Sequence, residues 1–224
     1  MSLKKYIKNR KVSRFSVSGI NVEIYNNLTN QDINVKIVLN KLLKMIPSSL
    51  MNNVKNVYIG NFDYLNSRKI EAAYKDSSIY LVNTHHDEDD MLDDLVHEVA
   101  HSIEEVHGDF LYSDGLIEKE FLQKRKSLKQ ILDREGFFIE EKFYYMPKYN
   151  TKFDTFLHRD VGYPLLTSLT KFLFYSPYGA TSINEYFANG FEAIFYNQDF
   201  ARVKNVSPVL YDRIERLTNE VTNK

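Results

Sequence analysis

The amino-acid sequence predicts an α+β fold, a small twisted mixed sheet in the N-terminal half packed on a mostly helical C-terminal half. Short β-branched and aromatic runs with a period of two cluster before residue 85. After it, apolar residues recur at helical spacing, punctuated by Gly136 and Pro208. Strands segregated from helices argue against a doubly wound parallel sheet. At 224 residues the chain suits one domain, 1–224, with a sheet lobe over about 1–107 and a helical lobe over about 108–224.

The elements follow in order. Phe15, Val17, Ile20, Val22 and Ile24 flank Ser18-Gly19, a hairpin with a two-residue turn. Thr29 or Asn30 caps a helix carrying Ile33, Ile37, Val38, Leu42 and Met45, stopped by Pro47. Val54 to Phe62 reads as a strand, and Glu71–Tyr74 and Ile79–Val82 as an extended pair joined through Lys75-Asp76-Ser77-Ser78. Ile79–Val82 reads either as an ordinary half-buried strand or, lying just before the next helix, as an edge strand able to pair with an extended peptide. Thr84 or Asp87 caps that helix, and the acids of 87–94 favour its positive end, or form a rim selecting basic substrates. A charged helix from about Asp114 to Glu135 closes on Gly136 at C′. Residues 137–162 are a Phe- and Tyr-rich loop, either a substrate-binding insertion or packed coil. Helices cover Leu165–Phe174 and Ser182–Asn197, and Pro208, with Ser207 as cap, opens the last one.

Composition narrows the chemistry. A formal net charge of −1 gives no argument for nucleic acid or an acidic membrane surface. The absence of cysteine excludes disulfides and thiolate metal ligands, so any metal sits on His, Asp or Glu. Met1–Lys8 is basic without an apolar segment behind it, and no run of about 18 apolar residues exists for a membrane span. A monomer is expected, in the cytoplasm or exported by a non-classical route.

One stretch carries chemistry: His97-Glu98-Val99-Ala100-His101, or HExxH. Histidines four apart on a helix project from one face, so both imidazoles can reach one ion. Glu98 points into the neighbouring sector, able to touch a water on that ion without binding it. Met91, Leu92, Leu95, Val96, Val99, Ala100, Ile103 and Val106 make the helix strongly apolar. Polar groups in such a helix cost a few kcal/mol unless paired or metal-bound, which favours zinc over a pair of core histidines. His85 and His86 read as loop residues, with a second metal site as the alternative.

A catalytic zinc usually takes three protein ligands. His107 occupies the last position of HExxHxxGxxH, but Glu104 stands where that pattern needs glycine. A straight helix carries His107 about 9 Å along the axis beyond His101. The other candidate is Glu185, within a helix whose apolar face is Ile183, Phe187, Ile194 and Phe195; its polar neighbours Asn184 and Asn189 leave a solvated face as the alternative.

These blocks resemble the gluzincin metallopeptidases, and within them the anthrax-lethal-factor-like group that includes the Pro-Pro endopeptidases. His97 to Ile103 matches that group's motif helix. Tyr178 precedes Glu185 by seven, and Glu185-Tyr186-Phe187-Ala188 matches its Glu-aromatic-Phe-Ala run. The resemblance covers roughly 55–200 and rests on these two blocks. It implies a zincin-like fold, Glu185 as third zinc ligand and Tyr178 as donor to the oxyanion, with Tyr175 as the fallback. Asn189 stands where thermolysin-like relatives carry an acid that holds a zinc histidine, and being neutral it does not carry that role over.

The expectation is a zinc-dependent endopeptidase acting on a protein or peptide, with His97, His101 and Glu185 on Zn²⁺ and Glu98 as base. The alternative is a non-catalytic zinc- or partner-binding protein of the same fold, against which the intact Glu98 argues.

Overall fold

The computed structural model describes residues 13–222, so the basic stretch Met1–Lys8 lies outside the described residues. The chain divides into two compact units, Met1–Val106 and His107–Lys224.

The first unit holds a five-stranded mixed sheet. Strands β1 (Ser13–Val17) and β2 (Ile20–Ile24) form the expected hairpin. Ser18 and Gly19 both take positive φ, 48° and 89°, the mirror-image turn that matches the strand twist. Helix α1 (Val35–Met45) crosses over to β3 (Asn56–Ile59), parallel to β2. It starts later than expected. Asn34 is the cap, its side chain accepting from the Lys36 and Ile37 N–H groups. Asn30 is engaged elsewhere, accepting from Asp32 N–H and donating to the His86 carbonyl.

The strand expected over 54–62 is only four residues long, and a short helix α2 (Asp63–Arg68) follows it. Then come β4 (Ala72–Lys75) and β5 (Ser78–Leu81), turned through Asp76 and Ser77 at φ 51° and 56°. The order β1-β2-β3-β5-β4 corrects the reading of Ile79–Val82 as an edge. The hairpin turn puts β4 on one side of β5, and parallel pairing with β3 takes the other. With both sides paired, β5 has no free ladder to offer a peptide.

Register explains the burial. Val22, Val57 and Ile79 align across three strands, and Ile24, Ile59, Leu81 and Ala72 across four, and all but the half-buried Ile24 are buried. The opposite face is aromatic: Tyr58 and Tyr80 lie 5.1 Å apart, centroid to centroid, and Phe62 meets Tyr80 edge-on. Tyr25, Leu65 and Val82 complete that cluster.

Helix α3 (Glu88–Tyr112) begins as expected at Asp87, whose carboxylate accepts from the Asp89 and Asp90 N–H groups at 2.9 Å. It runs past Gly108 with a break at His107 (φ −113°, ψ 16°). Among the described residues no helix is long and apolar enough to cross a membrane.

In the second unit, α4 (Leu116–Arg134) ends as the glycine predicts. Gly136 has φ 84°, its N–H reaches the Asp133 carbonyl, and the Phe137 N–H reaches Leu132. Residues 137–162 are not a plain loop. They hold a 3₁₀ turn (Glu141–Tyr145), helix α5 (Thr151–Thr155) capped by Asn150, and a π-helical segment (Phe156–Gly162) leading into α6 (Tyr163–Thr170). Helix α6 thus starts and stops before the expected 165–174. Helices α7 (Ile183–Phe195), α8 (Phe200–Val206) and α9 (Pro208–Thr222) follow, α8 being unforeseen. A Cβ on Gly190 would lie 2.4 Å from Leu210 Cδ2, so α7 and α9 pack at close range there.

The "charged" helix α4 buries part of its charge. Glu120 accepts from the Tyr186 hydroxyl and from the Val209 and Leu210 N–H groups, capping α9. Lys124 donates to the Leu173 and Val206 carbonyls, and burial pushes its amine down to about 8. Arg125 donates to the Phe143 and Thr181 carbonyls and lies over the Phe153 ring at 4.1 Å. These charges are used up on backbone groups at helix ends and turns.

Candidate metal centre

His97 and His101 sit one turn apart on α3, ring centroids 5.0 Å apart at 76°. Glu98, between them in sequence, is buried at 6% exposure. The His101 Nδ1 lies 2.9 Å from Glu104 Oε2. A carboxylate only accepts, so Nδ1 carries the proton and Nε2 keeps its lone pair for a ligand. Glu104, which replaces the glycine of the three-histidine pattern, thereby has a use of its own. If His101 holds a metal, Glu104→Ala should weaken its binding about 10- to 100-fold with the fold intact, read by competition with a chelator.

Glu185 occupies the first turn of α7, where Ser182 caps the helix by accepting the Glu185 N–H at 3.2 Å. One ligand atom from each of His97, His101 and Glu185 lies within 4.8 Å of the others, the only such group among the described residues. Ligands about 2.1 Å from a tetrahedral ion sit about 3.4 Å apart. That is within the 4.8 Å bound, so two imidazoles and a carboxylate form a group that could hold a metal ion. His107 is not in the group, and the backbone break falls on it.

Tyr178 opens a 3₁₀ turn (Tyr178–Ala180) just before α7. Burial, and after it the Glu185 and Asp154 carboxylates, raise its hydroxyl far above the ordinary tyrosine range. It therefore stays protonated, a donor, within electrostatic reach of Glu185. Tyr175 is placed otherwise. The Arg202 guanidinium lies over its ring at 4.5 Å, and the nearby acids are Asp199 and Glu192.

Sequence reasoning missed several residues around Tyr178. Asp154 accepts from the Tyr149 hydroxyl at 2.8 Å and faces that of Tyr163 at 3.5 Å, and Tyr163 also feels the charge of Glu185. They lie at or beside a helix interrupted by π turns, which no simple period reveals. Glu104 was findable, being one turn beyond His101.

His85 is buried and no ligand. Its Nδ1 lies 3.0 Å from the Val82 carbonyl and its Nε2 2.9 Å from Asp94 Oδ2. Both neighbours only accept, so both bonds exist only in the imidazolium form. Burial pulls its pKa down, but Asp94, with Asp90 and Glu71, outweighs that and leaves it raised. A folded value above the unfolded one gives stability that is full below the unfolded pKa, near 6.5, and lost as pH rises through the folded value. The melting temperature should therefore fall with rising pH across that range, and less so in Asp94→Asn. Three other acids of 87–94 are also occupied locally: Lys41 bridges Glu88 and Asp89, and Asp90 accepts the His86 N–H.

The chain matches no protein-family model, no curated protein and no solved structure.

Proposed function

We propose that this chain is a zinc-dependent endopeptidase with a zincin-like fold, hydrolysing peptide bonds of a protein or peptide substrate, its site akin to that of the gluzincins of the anthrax-lethal-factor-like group. The observation that supports it is the grouping of His97, His101 and Glu185 ligand atoms within 4.8 Å. His97, His101 and Glu185 would hold the zinc, which would supply a Lewis acid and lower the pKa of a water toward about 7.

The remaining work falls to the chain's own side chains. Glu98 takes the proton of the attacking water on a carboxylate oxygen and passes it to the leaving amine, so that proton gain and loss balance over the cycle. Tyr178, held protonated, offers its O–H to the oxygen that gains charge as the carbonyl becomes tetrahedral. Glu104 holds the His101 Nδ1, which would leave Nε2 as the ligand atom for the metal.

A cleavage profile on a peptide library tests the reading. Cleavage that stops with a chelator and returns with one equivalent of zinc is expected. Protein that holds zinc and cleaves nothing would favour the non-catalytic alternative.

A further inference from the structure

The residue one turn after Glu185 on α7 is Asn189, 4% exposed, and it touches the segment that carries Tyr178 rather than a histidine. Its Oδ1 accepts from the Ser176 hydroxyl. Ser176 Oγ in turn accepts the Gly179 N–H at 3.4 Å, closing a small ring of contacts around Pro177 and Tyr178. The approach is tight. A Cβ on Gly179 would lie 3.2 Å from Asn189 Oδ1, so any side chain there would push the amide back by a few tenths of an ångström. On its far side the turn is tied by Thr181, whose N–H and hydroxyl both donate to the Tyr178 carbonyl.

Helical spacing gives these contacts their meaning. Positions four apart share a face of α7, so Glu185 and Asn189 are held in one rigid frame. We propose that Asn189 is a positioning residue: through Ser176 and the bare Gly179 it fixes the Tyr178 turn to the same helix face that presents Glu185. The inference rests on the peptidase reading and assigns Asn189 a part that its neutral side chain can play. An amide is suited to it, since its Oδ1 accepts from Ser176 while the side chain stays neutral at a buried position.

The test compares Asn189→Leu, of similar shape but without an acceptor, with Asn189→Asp, which keeps one. Misplacing a transition-state donor costs kcat, not substrate binding. Asn189→Leu is expected to retain zinc, keep KM and lose kcat about tenfold or more, with Asn189→Asp restoring most of it. In a Tyr178→Phe background the leucine should cost little further, because both changes act through one hydroxyl. Equal losses in both backgrounds would overturn the proposal, as would full activity of Asn189→Leu. If Asn189→Leu does not fold, Ser176→Ala breaks the same link at the surface of the turn and is read by the same criteria. A crystal structure of the variant gives an answer independent of activity. Displacement of 176–179 with α7 unmoved is expected, and an unmoved turn overturns the inference. A parent protein that cleaves no peptide would sink the peptidase reading alone, with the crystal structure still deciding whether Asn189 holds the turn.

Discussion

Glu98→Gln is expected to keep the fold and about one zinc per chain while losing peptidase activity by at least about a hundredfold, the usual worth of general-base catalysis. Helical geometry places Glu98 roughly 60° around α3 from His101, at about 100° per residue. From there a carboxylate can reach a water at the metal more readily than the metal itself. Glutamine preserves the volume of a side chain that is only 6% exposed, and it can still accept a hydrogen bond. What it lacks is the basicity to take the proton. Metal content, melting temperature and cleavage rate, measured together, separate this from a folding defect. Undiminished cleavage would remove Glu98 from the chemistry.

Glu185→Ala is expected to strip the metal. It deletes one of the three proposed protein ligands and leaves two imidazoles on one helix, a pair that would retain zinc far more weakly. Zinc per chain after dialysis should fall from about one to about a tenth or less, and cleavage should fall with it. Ser182 still caps α7 through its own oxygen, so the helix should survive the change. His107→Ala is the control. If that variant loses zinc while Glu185→Ala keeps it, the third ligand has been misassigned.

Much of this was readable from the chain because the signals are local. HExxH needs only the period of one helix, the hairpin turns need only residues that tolerate positive φ, and Gly136 at C′ marks a helix end through its missing Cβ. Glu185 was readable as a candidate because a carboxylate stood among core residues at a spacing from Tyr178. The failures are non-local. No pattern in Ile79–Val82 says that β3 will pair beside it, since that depends on where a separate crossover lands. Likewise, α4 looks solvated because Glu120, Lys124 and Arg125 are charged. Their partners are backbone groups up to 90 residues away in the chain, as for Glu120 and Leu210. The stretch 137–162 hid its helices because a π segment breaks the 3.6-residue period on which recognition depends.

The strand order also dictates how the sheet can assemble. Both rims, β1 with β2 and β4 with β5, are hairpins whose ends are a two-residue turn apart, so each can zip on the microsecond scale with little loop entropy lost. The centre is different: β2 meets β3, and β3 meets β5, only in parallel, across the stretches 25–55 and 60–77. Those contacts must wait for α1 and α2 to collapse. The slow step of folding this unit therefore belongs to β3, the strand without a local partner, and substitutions at Val57, like those in the hairpins that form before it, should slow folding more than they hasten unfolding.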